Sequence, residues 1–221
     1  MIRLHHCPET RSMRTLWLLE EIGVPFEVVL HGFDKSLRSD DYLALHPVGR
    51  VPALEWDGRV LFETGAIAEL LCEGFPEPGL GRLAGDPERA DWLIWLHFAE
   101  SISQHTAALT QQHVALYEDS MRSPIVMKLE ANRLQKCYAA LEQALGGQAY
   151  LLETGFSAAD ISVGQAVYMG RHFAQLEPFP ALQRWFERLS QRPAYLAALP
   201  KPGEAKLYGQ AFYDAWEVPR G

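Results

Sequence analysis

The chain has 221 residues, 48% of them apolar, and a formal charge of −8 with no long basic run. That length and composition describe an ordinary globular protein of one large domain or two small ones, and the missing basic footprint excludes wholesale binding to nucleic acid or an anionic membrane. Its three cysteines, Cys7, Cys72 and Cys137, are widely spaced, which argues against a disulfide framework or structural zinc and places the chain in the reducing cytoplasm.

The first third alternates element types. "IRLHH" puts Ile2, Leu4 and His6 on one face of a short strand. Met13, Leu16, Trp17, Leu18, Leu19 and Ile22 then make a helix apolar most of the way round, so it should be buried on more than one side. Gly23 and Pro25 stop it. "FEVVL" reads as a second strand, and a polar stretch with one short helix near Asp40–Leu45 follows. "VPALEW" and "RVLFE" flank Asp57-Gly58, a strong two-residue hairpin signal. "TGAIAELLCE" is a helix closed by Gly74. One parallel crossover and one hairpin give a four-stranded mixed sheet with helices packed on it.

"FPEPGLGRLAG", rich in proline and glycine, reads as a linker. The expected division is an α/β domain over residues 1–76, a linker over 77–86 and an all-helical domain over 87–221. Asp86-Pro87 supplies an N-cap and a first-turn proline for a long helix expected to run to about Asp119. Ser123-Pro124 repeats the device, and Leu134, Tyr138, Leu141 and Leu145 form the next stripe. "FSAADISVGQAVYMG" opens another helix, with Ser157 and Asp160 forming a capping box. A helix with Leu182, Trp185, Phe186 and Leu189 inward follows, then a short one after Pro193. The tail carries Tyr208, Phe212, Tyr213 and Trp216, too aromatic for disorder, so it should pack back on the body. No secretory leader is expected, since Arg3 and two histidines interrupt the start, and no stretch approaches the ~20 apolar residues that span a bilayer. The histidines show no metal-ligand spacing, so no metal is expected.

The chemistry concentrates at the junction "HHCPETRSMRTLWLLEE", where strand becomes helix. A helix N-terminus offers unpaired N–H groups and partial positive charge, which stabilise a thiolate. Holding a thiol of pKa about 8.5 half-ionised near pH 6.5 takes roughly 2.7 kcal/mol. A hydroxyl donating to the sulfur, helped by the helix end, is of that size. Thr10 and Ser12 could activate a thiol brought by a ligand, or Cys7 could be the activated thiol itself. The plainer readings are that Thr10 caps the first helix, Ser12 is an exposed first-turn residue and Cys7 is a small buried strand-end residue.

The junction, "HPVGRVPAL", "FETGAI", the linker, "FSAADI" and "FERLSQRPAY", in this order, resemble the soluble glutathione transferases from Met1 to about Leu199. "TRSMRTLWLLEEIGVPFE" resembles the bacterial and fungal branches with S-R-S or S-R-A before an arginine. The resemblance implies a thioredoxin-like N-terminal domain followed by an all-helical domain. It implies a cytoplasmic, homodimeric detoxification enzyme that ionises glutathione and conjugates it to a small hydrophobic electrophile. Thr10 then stands where those branches carry the residue touching the glutathione sulfur. Threonine keeps the hydroxyl, but its methyl group restricts χ1. Val51-Pro52 matches the loop whose proline is characteristically cis and whose backbone pairs with glutathione like an added strand. Glu63-Thr64 matches the acidic-then-hydroxyl pair holding the γ-glutamyl end, through the ammonium and the carboxylate respectively. Arg50 stands where a basic residue meets the glycine carboxylate, with His46 the weaker alternative. Ser12 is an auxiliary donor or a bystander, and Arg14 is expected to make an internal or interdomain ion pair. Phe98, His105, Tyr117 and Tyr168 are candidates for the second substrate by type alone, and core packing suits each better.

Two other readings stay open. "CPET" resembles the C-P motif of glutaredoxins and omega-like transferases, which would make Cys7 the nucleophile of a glutathione-dependent thiol-disulfide oxidoreductase. The same fold also serves as a non-catalytic scaffold, against which the retained Val51-Pro52 and Glu63-Thr64 argue.

Overall fold

A computed structural model describes residues 1–204 and 206–215. β1 (Ile2–His6) is flanked on one side by β2 (Phe26–Leu30), and β3 (Ala53–Trp56) and β4 (Arg59–Leu61) follow on the other, giving the order β2-β1-β3-β4. β1 runs parallel to β2, with Leu4 opposite Val28, and antiparallel to β3, with Leu4 opposite Leu54. The β3–β4 hairpin turns at Asp57 (φ 51°) and Gly58 (φ 73°), where a two-residue turn needs left-handed backbone. This is the predicted mixed sheet, with β4 two residues shorter than the apolar pattern suggested because Phe62 and Glu63 leave the ladder.

The crossover helix α1 (Ser12–Ile22) packs on β1, on α3 (Thr64–Gly74), on α6 (Ala158–Gly170) and on α8 (Pro193–Ala198). Its all-round apolar surface is explained by that position between the sheet and the helical part. Trp17, fully buried, meets Tyr195 edge-on at 4.9 Å, and its indole N–H donates to Glu21 at 3.0 Å. Gly164 of α6 is required here: a Cβ would lie 2.8 Å from Leu189 and 3.2 Å from the Trp17 ring. Gly74 ends α3 for a packing reason rather than a conformational one, since a Cβ there would meet the Trp56 ring at 2.4 Å. α2 (Asp40–Leu45) is the predicted short helix, capped by Ser39, whose hydroxyl accepts from the Tyr42 N–H at 3.3 Å.

The helical part is α4 (Arg89–Thr110), α5 (Pro124–Leu145), α6, α7 (Pro180–Ser190) and α8. Every residue of α6 is buried, as befits the helix that meets α1, α4 and α7. Its capping box forms as predicted: the Ser157 hydroxyl accepts from Ala159 N–H, and Asp160 accepts from the Ser157 N–H at 2.9 Å. Asp160 also accepts from Leu151 N–H and from the Trp185 indole. The N-terminus of α7 is capped from another helix, with Glu142 accepting from Ala181 and Leu182 N–H at 3.0 and 2.8 Å.

Three local expectations are corrected. α4 begins at Arg89, not at Pro87; Asp86 instead caps the preceding turn through the Glu88 N–H at 2.9 Å. α4 stops at Thr110 rather than near Asp119, widening into a π turn over Gln111–Ala115. Ser12 is fully buried rather than exposed. The tail does pack back: Tyr208 is buried and stacks on His172 at 4.2 Å, and Tyr213 lies against Phe173 at 5.5 Å. Trp216 lies outside the described residues.

Candidate active site

The loop between β1 and α1 forms the floor of a cleft of about 950 Å³. Thr10, Arg50, Val51, Pro52, Glu63 and Thr64 line it from the sheet-bearing part. Thr106, Met169 and Tyr208 line it from the helical part. A smaller cavity of about 310 Å³ beside Cys72, Pro76 and Gly81 holds none of the predicted residues.

Thr10 sits one residue before the α1 N-cap, Arg11, which offers no side-chain cap of its own. Its hydroxyl donates to the Cys7 carbonyl at 2.7 Å and lies 2.8 Å from the Ser12 hydroxyl. It also accepts from the Ser12 N–H at 3.3 Å, but the N-cap is Arg11 and carries no side-chain cap bond, so Thr10 does not cap the helix as the plainer reading expected. Ser12 itself does not line the cleft. Its oxygen accepts from the Cys7 N–H at 3.1 Å and lies 2.7 Å from His6 Nδ1.

Cys7 lines the cleft but is 1% exposed. Burial, and then the nearby Asp34 carboxylate, push its thiol up to about 11. A thiol so held is protonated at neutral pH, the opposite of what a nucleophilic cysteine needs. Burial likewise pushes Cys72 up to about 12.

One corner of the cleft is built by the start of α3. Glu63 has φ 72°, a left-handed conformation for a non-glycine residue, and its carbonyl accepts from Ile67 N–H. Its carboxylate is exposed at the cleft, beside the unpaired first-turn N–H groups of α3. The Thr64 hydroxyl accepts from Arg14 Nη1 at 3.1 Å, which leaves its own proton free for a ligand. The Val51-Pro52 peptide bond is cis. Arg50 is exposed on the rim, its carbonyl held by the Tyr42 hydroxyl at 2.6 Å. His46 is buried against Phe62 and is held low by desolvation, so it is a neutral neighbour of the cleft.

Arg14 makes the expected bridge between the two parts of the chain. It is 4% exposed and spends its whole donor fork: Nε on Gln165 at 2.8 Å, Nη1 on Thr64 and Glu100, Nη2 on Ser103 and the Ala99 carbonyl. Gln165 in turn donates to the Thr10 carbonyl at 3.2 Å. Burial pushes Glu100 up, but Arg14 and Arg11 outweigh it and hold the carboxyl below its usual range.

Glu9 has no counterpart in the sequence reading. It is 6% exposed with φ 53°, and one carboxylate oxygen accepts from Leu207 and Tyr208 N–H at 2.5 and 3.0 Å. The Tyr208 hydroxyl meets Thr110 at 2.9 Å. The last described segment is thus a wall of the cleft, tied to the residue beside Thr10. Phe98, His105, Tyr117 and Tyr168 do not line the cleft; His105, for one, pairs with Glu130 at 2.6 Å. Among the described residues no cluster of three or more His, Cys, Asp or Glu side chains could hold a metal ion, and no helix is long and apolar enough to cross a membrane.

Comparison with known proteins places this geometry in a family. Residues 1–73 match the model of the glutathione S-transferase N-terminal domain, and residues 110–198 match the model of its C-terminal domain. Glutathione S-transferase 4 of Zea mays is 31% identical over 189 residues, covering 82% of this chain and 83% of the maize protein. Glutathione S-transferase 3 of Schizosaccharomyces pombe is 25% identical, covering 91% and 88%. Among solved structures, a glutathione S-transferase from Xylella fastidiosa superposes with a TM-score of 0.79 at 26% identity, covering 90% of this chain and 97% of that one. A sphingomonad glutathione S-transferase in complex with glutathione gives 0.75 at 28% identity, covering 89% and 96%. The chain belongs to the glutathione S-transferase family. It is an enzyme of that class, with a thioredoxin-like α/β part followed by an all-helical part.

Proposed function

We propose that the cleft binds glutathione along Val51-Pro52 and the start of α3, ionises its thiol at Thr10, and conjugates it to a hydrophobic electrophile held against Thr106, Met169 and Tyr208. The carrying observation is the Thr10 hydroxyl on the cleft floor at the N-terminus of α1, while the rival Cys7 is buried and protonated. On binding, the thiol gives its proton to solvent. The Thr10 proton turns from the Cys7 carbonyl to the sulfur, where a hydrogen bond to charge plus the helix end supplies about 2 to 3 kcal/mol. The thiolate then forms a carbon–sulfur bond as the electrophile's leaving group departs with the displaced electron pair.

At the other end of the tripeptide, Glu63 accepts from the ammonium, and Thr64 with the α3 N–H groups holds the α-carboxylate. Arg50 meets the glycine carboxylate. Ser12 acts from behind Thr10 rather than on the ligand. The division at residues 77–86 falls inside the stretch 75–88, which carries no helix or strand. The exposed side chains of Phe62, Leu70, Ile94 and Leu129 suit the buried face of a homodimer, and a reduced cytoplasmic setting suits three free cysteines.

Glutathione titration followed by near-ultraviolet thiolate absorbance tests the reading in three proteins. Wild type should give a saturable thiolate signal at neutral pH. Thr10→Val should bind but lose the signal, with kcat/KM falling about tenfold to a hundredfold, the worth of one hydrogen bond to a charged sulfur. Cys7→Ala should keep both. Loss in Cys7→Ala with retention in Thr10→Val would move the reading to disulfide chemistry, and absence of glutathione binding would leave a scaffold.

A further inference from the structure

Behind Thr10 lies a buried polar chain that the proposed chemistry does not by itself require. His6 is 4% exposed and Ser12 fully buried, and their polar atoms meet each other and Thr10 beneath the cleft lining. The contacts run His6 Nδ1 to Ser12 Oγ at 2.7 Å, Ser12 Oγ to Thr10 Oγ1 at 2.8 Å, and Thr10 Oγ1 to the Cys7 carbonyl at 2.7 Å.

Counting donors decides what this chain can do. A hydroxyl has one proton to give and two lone pairs. One lone pair of Ser12 is taken by the Cys7 N–H at 3.1 Å, which leaves one lone pair and one proton for His6 and Thr10. If Ser12 donates to His6, Thr10 either donates to Ser12, with no proton left for the Cys7 carbonyl or a sulfur, or leaves the 2.8 Å contact between the two hydroxyls without a proton. If His6 carries its proton on Nδ1 and donates to Ser12, Ser12 donates to Thr10. Thr10 then accepts from both the Ser12 hydroxyl and the Ser12 N–H at 3.3 Å, and its own proton, resting on the Cys7 carbonyl at 2.7 Å, is free to turn to a sulfur. Only the second arrangement serves a thiolate, and it leaves each of the two hydroxyls with one donated and two accepted bonds. The longer contact from Ser12 Oγ to the Cys7 carbonyl, 3.2 Å, is the weaker competitor for the same proton.

We propose that His6 and Ser12 are positioning residues that hold the Thr10 proton toward the glutathione sulfur, the Nδ1–H tautomer of His6 setting the direction of the chain. The inference rests on the proposed role of Thr10. Bonds aligned head to tail polarise one another, so the last one, on the thiolate, is strengthened by those behind it. Burial, and then His31 across the end of the sheet, push His6 down to about 4, so it stays neutral and works through its tautomer rather than its charge.

The test measures the pKa of enzyme-bound glutathione from the pH dependence of its thiolate absorbance, beside the affinity for S-methylglutathione, which has no proton to lose. His6→Leu removes the donor, and His6→Asn puts an amide donor where Nδ1 stands. Ser12→Ala breaks the middle of the chain. His6→Leu and Ser12→Ala should raise the bound thiol pKa by about half a unit or more, about a threefold fall in its ionisation constant. S-methylglutathione binding should change less than about twofold, and His6→Asn should stay near wild type. An unchanged thiol pKa in His6→Leu, or S-methylglutathione binding lost in step with the thiolate, would overturn the proposal and leave His6 as a packing residue. Should wild type bind glutathione without any thiolate, the role of Thr10 itself fails, and the relay with it.

Discussion

The residues that matter most on the cleft floor are those whose protons are constrained. His6 is held near 4, with burial as the main cause, against an ordinary value of 6.5. His31, His46, His113 and His172 are all shifted downward, each by burial first. A histidine with a depressed folded pKa binds fewer protons than the unfolded chain between the two values, so folding stability falls as pH drops through that window. For His6 the window runs from 6.5 to about 4, and its share is about 3 kcal/mol. Urea midpoints measured from pH 7 to pH 4 should therefore fall steeply below 6.5, and less steeply in His6→Asn; an equal fall in both would remove His6 from the account. Thr10 was legible in the sequence because its position at a strand-to-helix junction is local. The burial of Ser12 was not, because the partners that pull it inward, His6 Nδ1 and the Cys7 N–H, depend on how the loop closes.

At the scale of elements, helices and strands followed the apolar periodicity where a stop signal stood in the chain. Gly23, Asp57-Gly58 and Ser123-Pro124 end or start elements as their turn and cap chemistry requires. α4 had no such stop after Thr110. Its end is set by tertiary contacts: Arg122 Nε donates to the Leu116 carbonyl at 2.7 Å, and Gln112 accepts from the Ser123 N–H at 2.7 Å. The joint of α1, α3, α4 and α6 rests on one guanidinium. Arg14→Met should leave Gln165, Ser103 and the Ala99 carbonyl short of a donor and cost about 3 kcal/mol. Arg14→Lys should recover little, since an ammonium cannot span the fork. Melting temperatures check both, with a fall of about 6 to 12 °C expected for a chain of this length; a melting point within a degree or two of wild type would show that the joint holds without Arg14.

At the scale of the whole molecule, the cleft is complete only when the two ends of the described chain meet. No local pattern could announce that Glu9 would accept from Leu207 and Tyr208, because the pairing is almost as long-range as the chain allows. The aromatic content of the tail pointed to packing, but not to where. Glu9→Ala should free both N–H groups while leaving the Tyr208 ring on His172. Amide exchange at Leu207 and Tyr208 should then quicken about tenfold or more, as expected for loss of hydrogen bonds to a charged acceptor. Unchanged exchange would mean that the stacked rings hold the segment alone.

That clamp has a consequence for synthesis. Glu9 is made 198 and 199 residues before its two partners, so on the ribosome the loop carrying Thr10 waits for both parts of the described chain to follow it. A nascent chain arrested before Tyr208 emerges has its sheet and most of its helices but lacks one wall of the cleft. Full competence of the site is thereby reserved for a chain made past Tyr208.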